Sequence, residues 1–143
     1  MLPQMQKYNK DLPYVFRTVR KGSQDGVESQ LLVTSSPFGY RRMAELIQPE
    51  GKSPLAAILY VHWYEPESPD SNRSQFVAEA TEMAKRRAAC LLIETMWSDP
   101  DFFPKRTQAD DPQNSVQQVV DIRRAIDFLL AQPGIDPGRF AFV

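Results

Sequence analysis

What this 143-residue sequence lacks narrows its chemistry first. It holds one cysteine, Cys90, and one histidine, His62. A single thiol excludes an internal disulfide and any zinc site built on several thiolates. A single imidazole excludes a multi-histidine metal cluster, so no metal is expected. No glycine-rich loop of the phosphate-cradling kind is present, and no cofactor is implied. Basic and acidic residues nearly cancel, 17 against 18, leaving a net charge of −1. No basic excess marks a nucleic-acid surface, and no like-charge block marks a polyanionic tail. The longest apolar run, Leu55 to Val61, is too short to cross a bilayer, so no membrane partner is expected. The first residues, Met1 to Gln6, lack the basic flank and apolar stretch of a signal peptide. What is there, 42% hydrophobic and 24% charged residues, is ordinary for a cytoplasmic globular domain. A chain of this length buries roughly 70% of its unfolded surface.

Along the chain, residues 1–13 are polar and carry Pro3 and Pro13, which predicts a loose N-terminal arm. Residues 14–143 then read as one domain. Tyr14 to Arg20 alternates apolar and polar residues, and Lys21 to Gly26 reads as a turn. Val27 to Ser35 and Arg41 to Gln48 are further strand candidates, separated by the turn Ser36-Pro37-Phe38-Gly39-Tyr40. This opening has the pattern of an antiparallel meander.

From residue 55 the pattern changes. Leu55 to Val61 is apolar without alternation, as a strand covered on both faces must be. A loop, Glu65 to Arg73, follows. Ser74 is a candidate N-cap for a helix that sets Phe76, Ala80, Met83 and Ala84 on one face. Cys90 to Glu94 is the next apolar run. The loop from Thr95 to Gln113 is rich in aromatics, Asp and Pro. Val116, Val119, Val120, Arg123, Ile126 and Leu130 then share a helix face, with Asn114 or Ser115 as cap and Pro133-Gly134 as terminator. Ile135 to Arg139 turns into Phe140 to Val143, another buried-strand signal. Strands alternating with amphipathic helices predict an α/β fold, with antiparallel N-terminal strands leading into a parallel sheet and its covering helices. The alternation stops at a strand with no helix after it, which predicts an incomplete domain.

His62 stands at the end of an apolar strand, beside Trp63 and Tyr64. Strand ends of parallel sheets collect functional residues, although a lone histidine there also serves to order a turn. The order of segments adds specificity: Leu55 to Trp63, a helix, Ala88 to Glu94, the aromatic loop with Trp97 to Arg106, a long helix, and Pro133 to Val143. Over roughly residues 25–143 this series resembles the N-terminal half of an α/β-hydrolase, closest to the dienelactone hydrolase-like esterases.

The resemblance implies an incomplete α/β-hydrolase fold, truncated before the nucleophile elbow. It implies a serine nucleophile that cleaves a small-molecule ester or acyl bond through an acyl-enzyme. In that family the triad runs Ser, then Asp or Glu, then His, with the Ser on the turn after the strand that here is Phe140 to Val143. All three members would lie beyond residue 143, so no catalytic residue is in this chain and the chain alone would be inactive. His62 would order the oxyanion loop. A backbone N–H of Tyr64, or of its neighbour Trp63, would serve as one oxyanion-hole donor. Glycine is usual in that turn, yet none occurs between Gly51 and Gly134. A left-handed turn would therefore strain Trp63 or Tyr64. Trp97, Phe102 and Phe103 would line a substrate pocket, unless they pack the loop onto the sheet.

Simpler readings compete elsewhere. Asp99, Asp101, Asp110 and Asp111 read as a solvated loop, Cys90 as a buried inert thiol, and Arg123 with Asp127 as an ion pair. A different class altogether, a non-enzymatic α/β binding or interaction module, also fits the strand and helix pattern.

Overall fold

The computed structural model describes residues 15–36, 41–64 and 72–143. The expected arm over 1–13, most of the turn after Ser36, and the loop from Glu65 to residue 71 lie outside the described residues. One six-stranded sheet runs in the order β1-β2-β3-β5-β4-β6. Its strands are β1 (Val15–Gln24), β2 (Val27–Ser35), β3 (Arg41–Pro49), β4 (Ala56–Val61), β5 (Ala88–Ile93) and β6 (Phe140–Phe142). The helices are α1 (Val77–Lys85), α2 (Phe102–Lys105) and α3 (Asp111–Leu130). Strands β1, β2 and β3 pair antiparallel, and β3 pairs antiparallel with β5. Strands β5, β4 and β6 are mutually parallel. The predicted change from antiparallel to parallel pairing is therefore present. No described helix is long and apolar enough to cross a membrane.

The two faces of the sheet carry separate cores, because successive strand residues point to opposite sides. Leu59, Leu91 and Leu46 meet Ala125 and Leu129 of α3 on one face. Tyr60, Cys90, Leu92 and Ile47 meet Ala80 and Ala84 of α1 on the other. Every residue of β5 is buried, as the unbroken apolar run requires. Phe76 and Met83 pack against the α1-side core, so the four residues assigned to one helix face do share it.

Several boundaries differ from expectation for identifiable reasons. β1 continues to Gln24, and only Asp25-Gly26 turn, with φ of +52° and +77°. Two left-handed residues make a turn whose twist matches the strands it joins. Lys21, Gly22 and Ser23 read as loop because β1 is an edge strand exposed at nine of its ten positions, where no apolar pattern is needed. Phe16 is its anchor, stacked on Phe128 of α3 with ring centroids 4.2 Å apart.

The segment entering α1 is a 3-10 turn, Arg73–Phe76, capped by the Asn72 side chain accepting from the Ser74 N–H at 2.8 Å. Asn72, not Ser74, caps this turn, and α1 itself follows Phe76 with no side-chain cap. Helix α3 starts at Asp111, three residues before the expected cap, with Pro112 in its first turn. There the missing proline N–H costs nothing, since first-turn amides have no partner within the helix.

Candidate functional site

Strand β4 sits between β5 and β6. The chain leaves it through α1 on one face to reach β5, and later through α3 on the other face to reach β6. A sheet in which the connections diverge this way opens a crevice beyond the carboxyl end of the central strand. His62, Trp63 and Tyr64 occupy that end.

His62 is 1% exposed. Its Nε2 accepts from the Thr95 N–H at 3.2 Å, which places the ring proton on Nδ1, where it donates to the Trp63 carbonyl at 3.1 Å. The hydroxyls of Thr95 and Ser98 lie 3.1 Å and 2.8 Å from the same Nε2. The Trp97 indole N–H donates to the His62 carbonyl at 3.1 Å. The histidine thus joins the end of β4 to the 3-10 turn Met96–Ser98 that follows β5. Burial holds its pKa below the ordinary value, against the opposing pull of the Trp63 carbonyl and the Glu94 charge.

Trp63 and Tyr64 diverge in their backbone partners. The Trp63 N–H donates to Gln75 Oε1 at 3.3 Å, and its ring meets Phe76 edge-on at 5.3 Å. Among the described residues, the Tyr64 N–H donates to no acceptor. Arg73 fixes the short turn that carries Gln75, through a 2.6 Å bond to Glu94. Glu94 in turn accepts the Met43 N–H at 3.0 Å. Among the described non-glycine residues, only Asp25 and Arg87 have left-handed backbone. The turn after His62 therefore strains neither Trp63 nor Tyr64 and has no need of glycine there.

The three aromatics of the long loop converge on this end of the sheet. Tyr64 stacks on Phe103 at 3.8 Å, and Phe103 meets Phe102 edge-on at 5.0 Å. Trp97 meets the His62 ring at 6.0 Å. Together Trp97, Phe102 and Phe103 line a cavity of about 450 Å³ that reaches Gln118 and Val119 on α3.

The loop carboxylates have local work. Asp101 binds Lys105, Asp111 takes two bonds from Arg106, and Asp110 accepts the Thr107 hydroxyl, each at 2.6 Å. No group of three or more metal-ligating side chains is present among the described residues. Cys90 is fully buried, and that burial pushes its thiol up to about 12.

Gln75, Thr95, Ser98 and Gln118 were not singled out from sequence. Thr95 and Ser98, two hydroxyls three residues apart just past a strand, carry a local turn signal that the aromatic loop around them obscured. Gln75 carries none, since its partner Trp63 comes from elsewhere in the chain, and Gln118 carries none, since the cavity wall it joins is completed by the distant loop of Trp97, Phe102 and Phe103.

The sequence matches no protein-family model and no curated protein. Solved structures do match. An acetyl xylan esterase from Paenibacillus sp. R4 superimposes with a TM-score of 0.66 at 17% identity, over 98% of this chain and 47% of that one. Acetyl xylan esterase 1 from Thermoanaerobacterium sp. gives 0.68 at 14% identity, over 97% and 47%. A cold-adapted esterase from an Arctic intertidal metagenomic library gives 0.55 at 12% identity, over 90% and 51%. The chain spans about half the length of these esterases. At such identities the likeness is one of fold, and the fold is that of the α/β-hydrolases.

Proposed function

We propose that this chain is the oxyanion-loop half of a serine-nucleophile ester hydrolase, of the dienelactone hydrolase-like type, with the triad supplied by residues outside these 143. The observation that carries the reading is the Tyr64 N–H at the carboxyl end of β4, which donates to no acceptor among the described residues, with the Tyr64 ring stacked on Phe103 of the aromatic-walled cavity. When a serine attacks an ester carbonyl, the carbonyl oxygen gains a full negative charge in the tetrahedral intermediate. A fixed backbone donor at that oxygen typically lowers the barrier by about 2.7–4 kcal/mol. Tyr64 is the donor and Trp63 the lesser one, because Gln75 already holds the Trp63 N–H. His62, neutral and buried, positions this loop and takes no proton from substrate. Trp97, Phe102 and Phe103 receive the apolar part of a small ester. No serine here lies in a Gly-x-Ser-x-Gly setting, so the chain alone is inactive.

The test begins with the gene beyond the Val143 codon. The reading requires a Gly-x-Ser-x-Gly elbow there, then an acidic residue and a histidine. The product of that longer frame hydrolyses short aryl esters and takes a fluorophosphonate label on the elbow serine, whereas residues 1–143 do neither. A stop codon after Val143 would overturn it in favour of a binding module.

A further inference from the structure

The turn after β4 contains two consecutive peptide units, His62–Trp63 and Trp63–Tyr64, and side chains hold three of their four polar groups. In the first unit the His62 carbonyl accepts the Trp97 indole N–H at 3.1 Å, and the Trp63 N–H donates to Gln75 Oε1 at 3.3 Å. In the second, the Trp63 carbonyl accepts the His62 Nδ1–H at 3.1 Å. The fourth group, the Tyr64 N–H, donates to no acceptor among the described residues. None of the described peptide bonds is cis. In a trans unit the carbonyl and the N–H point in opposite directions, so a side chain that grips one end also aims the other. His62 aims the Tyr64 N–H in this way. Trp97 and Gln75 grip both ends of the preceding unit, which keeps it from turning and carrying its neighbour round.

Gln75 reaches the turn from a different element, and the residues around it are themselves pinned. Asn72 caps its 3-10 turn at 2.8 Å. Arg73 bonds Glu94 at 2.6 Å, and Glu94 also accepts the Met43 N–H of β3 at 3.0 Å. Phe76, the next residue, meets Tyr60 of β4 and Trp63, each with ring centroids 5.3 Å apart. The carboxamide is thus delivered to Trp63 by backbone already fixed to the sheet, as a preorganised site requires of its supports. Without that acceptor the first unit is held at its carbonyl end alone. It can then rock about the bonds that flank it and swing the Tyr64 N–H out of line. Stabilising a developing oxyanion depends on donors that are fixed before the charge appears.

Building on the proposed ester hydrolysis, and resting on it, we infer that Gln75 is a positioning residue for the oxyanion donor. It touches no reacting atom. It holds the Trp63 amide so that the Tyr64 N–H keeps one direction throughout the reaction.

Two variants test this. Gln75→Met keeps the side-chain length and removes the acceptor, whereas Gln75→Glu keeps an acceptor. In residues 1–143, hydrogen exchange followed by nuclear magnetic resonance reads the Trp63 amide directly. It should exchange about tenfold faster in Gln75→Met, the loss of one hydrogen bond, and return to within about twofold of the parent in Gln75→Glu. In the longer frame that the proposed function requires, Gln75→Met should lower kcat for short aryl esters about tenfold. KM should stay within about twofold, because the uncharged ester carbonyl asks little of a donor that the transition state needs. The kcat effect should persist well below the melting transition, which a loss of folding alone would not produce. Unchanged Trp63 exchange in Gln75→Met, no return in Gln75→Glu, or a raised KM at unchanged kcat would each overturn the role of Gln75 and leave the esterase reading standing. A stop codon after Val143 would remove both.

Discussion

The Ser98 hydroxyl lies 2.8 Å from Nε2 of His62, a nucleophile-to-base distance that here closes a turn. The imidazole is buried, its Nε2 also faces the Thr95 N–H and hydroxyl, and its Nδ1 faces a backbone carbonyl instead of a carboxylate. A general base needs room at Nε2 for the proton it takes and an approach for the carbonyl under attack. This nitrogen is already crowded by its own loop.

Ser98→Ala should therefore cost stability and spare chemistry. Removing one partly buried hydroxyl is expected to lower unfolding free energy by about 1 kcal/mol, read as a lower urea midpoint. Under the proposed function, ester hydrolysis by the longer frame that reading requires should stay within about threefold of the parent, a barrier change of less than 1 kcal/mol. A fall of several orders of magnitude with unchanged stability would make Ser98 a nucleophile instead.

The buried imidazole also sets a pH dependence. Its native pKa is held below the ordinary value of 6.5, first by burial. Between the two values the unfolded chain binds the proton and the native chain does not, so stability falls as pH falls. The His62 contribution is whole above pH 6.5 and is lost on descending through the lowered native pKa. Urea unfolding at steps from pH 7.5 to 5 should show that decline, and His62→Gln should flatten it while lowering stability at pH 7.5.

Cys90 should be silent to thiol reagents in the native protein. Its thiol is pushed up to about 12 by burial, with Glu79 adding to the shift, so almost no thiolate exists at neutral pH. Labelling by a disulfide reagent should proceed only at the unfolding rate and become immediate in concentrated urea. Fast native labelling would contradict the packed interior of β5.

Two left-handed glycines should respond differently to the same substitution. Gly26 at φ +77° has open space around it, whereas a Cβ on Gly134 at φ +85° would sit 2.6 Å from Ser53 Cβ and 3.0 Å from the Pro54 oxygen. Gly26→Ala is expected to cost about 1 kcal/mol, the strain of a left-handed alanine. Gly134→Ala should cost clearly more, since the segment before β4 must also move. Thermal melts of the two variants give the comparison directly.

Much of this fold is written in local pattern. Val27 to Ser35 could be bounded from sequence because the turns on either side of it, ending at Gly26 and beginning at Ser36, frame it. The apolar runs that became β4 and β5 were legible because burial on both faces leaves no polar position. The edge strand β1 runs past Arg20 with no signal in the sequence, since an exposed strand has no apolar pattern to show there. Helix α3 was started late because an Asp-Pro beginning resembles loop, and only Arg106 gripping Asp111 reveals the helix's first residue. At the site, the position of His62 at a strand end was legible. Its partners Thr95 and Ser98 lie more than thirty residues away, and such pairings depend on strand order, which periodicity does not encode.

Strands β1 and β5 have a consequence for how the gene tolerates change. β5 is buried at all six positions, whereas β1 exposes nine of ten. A library randomised codon by codon would return nearly any residue from β1 apart from Phe16, and from β5 little beyond the aliphatic alphabet. Epitopes, affinity tags or altered surface charge are best introduced at the edge hairpin, far from the crevice at the carboxyl end of β4.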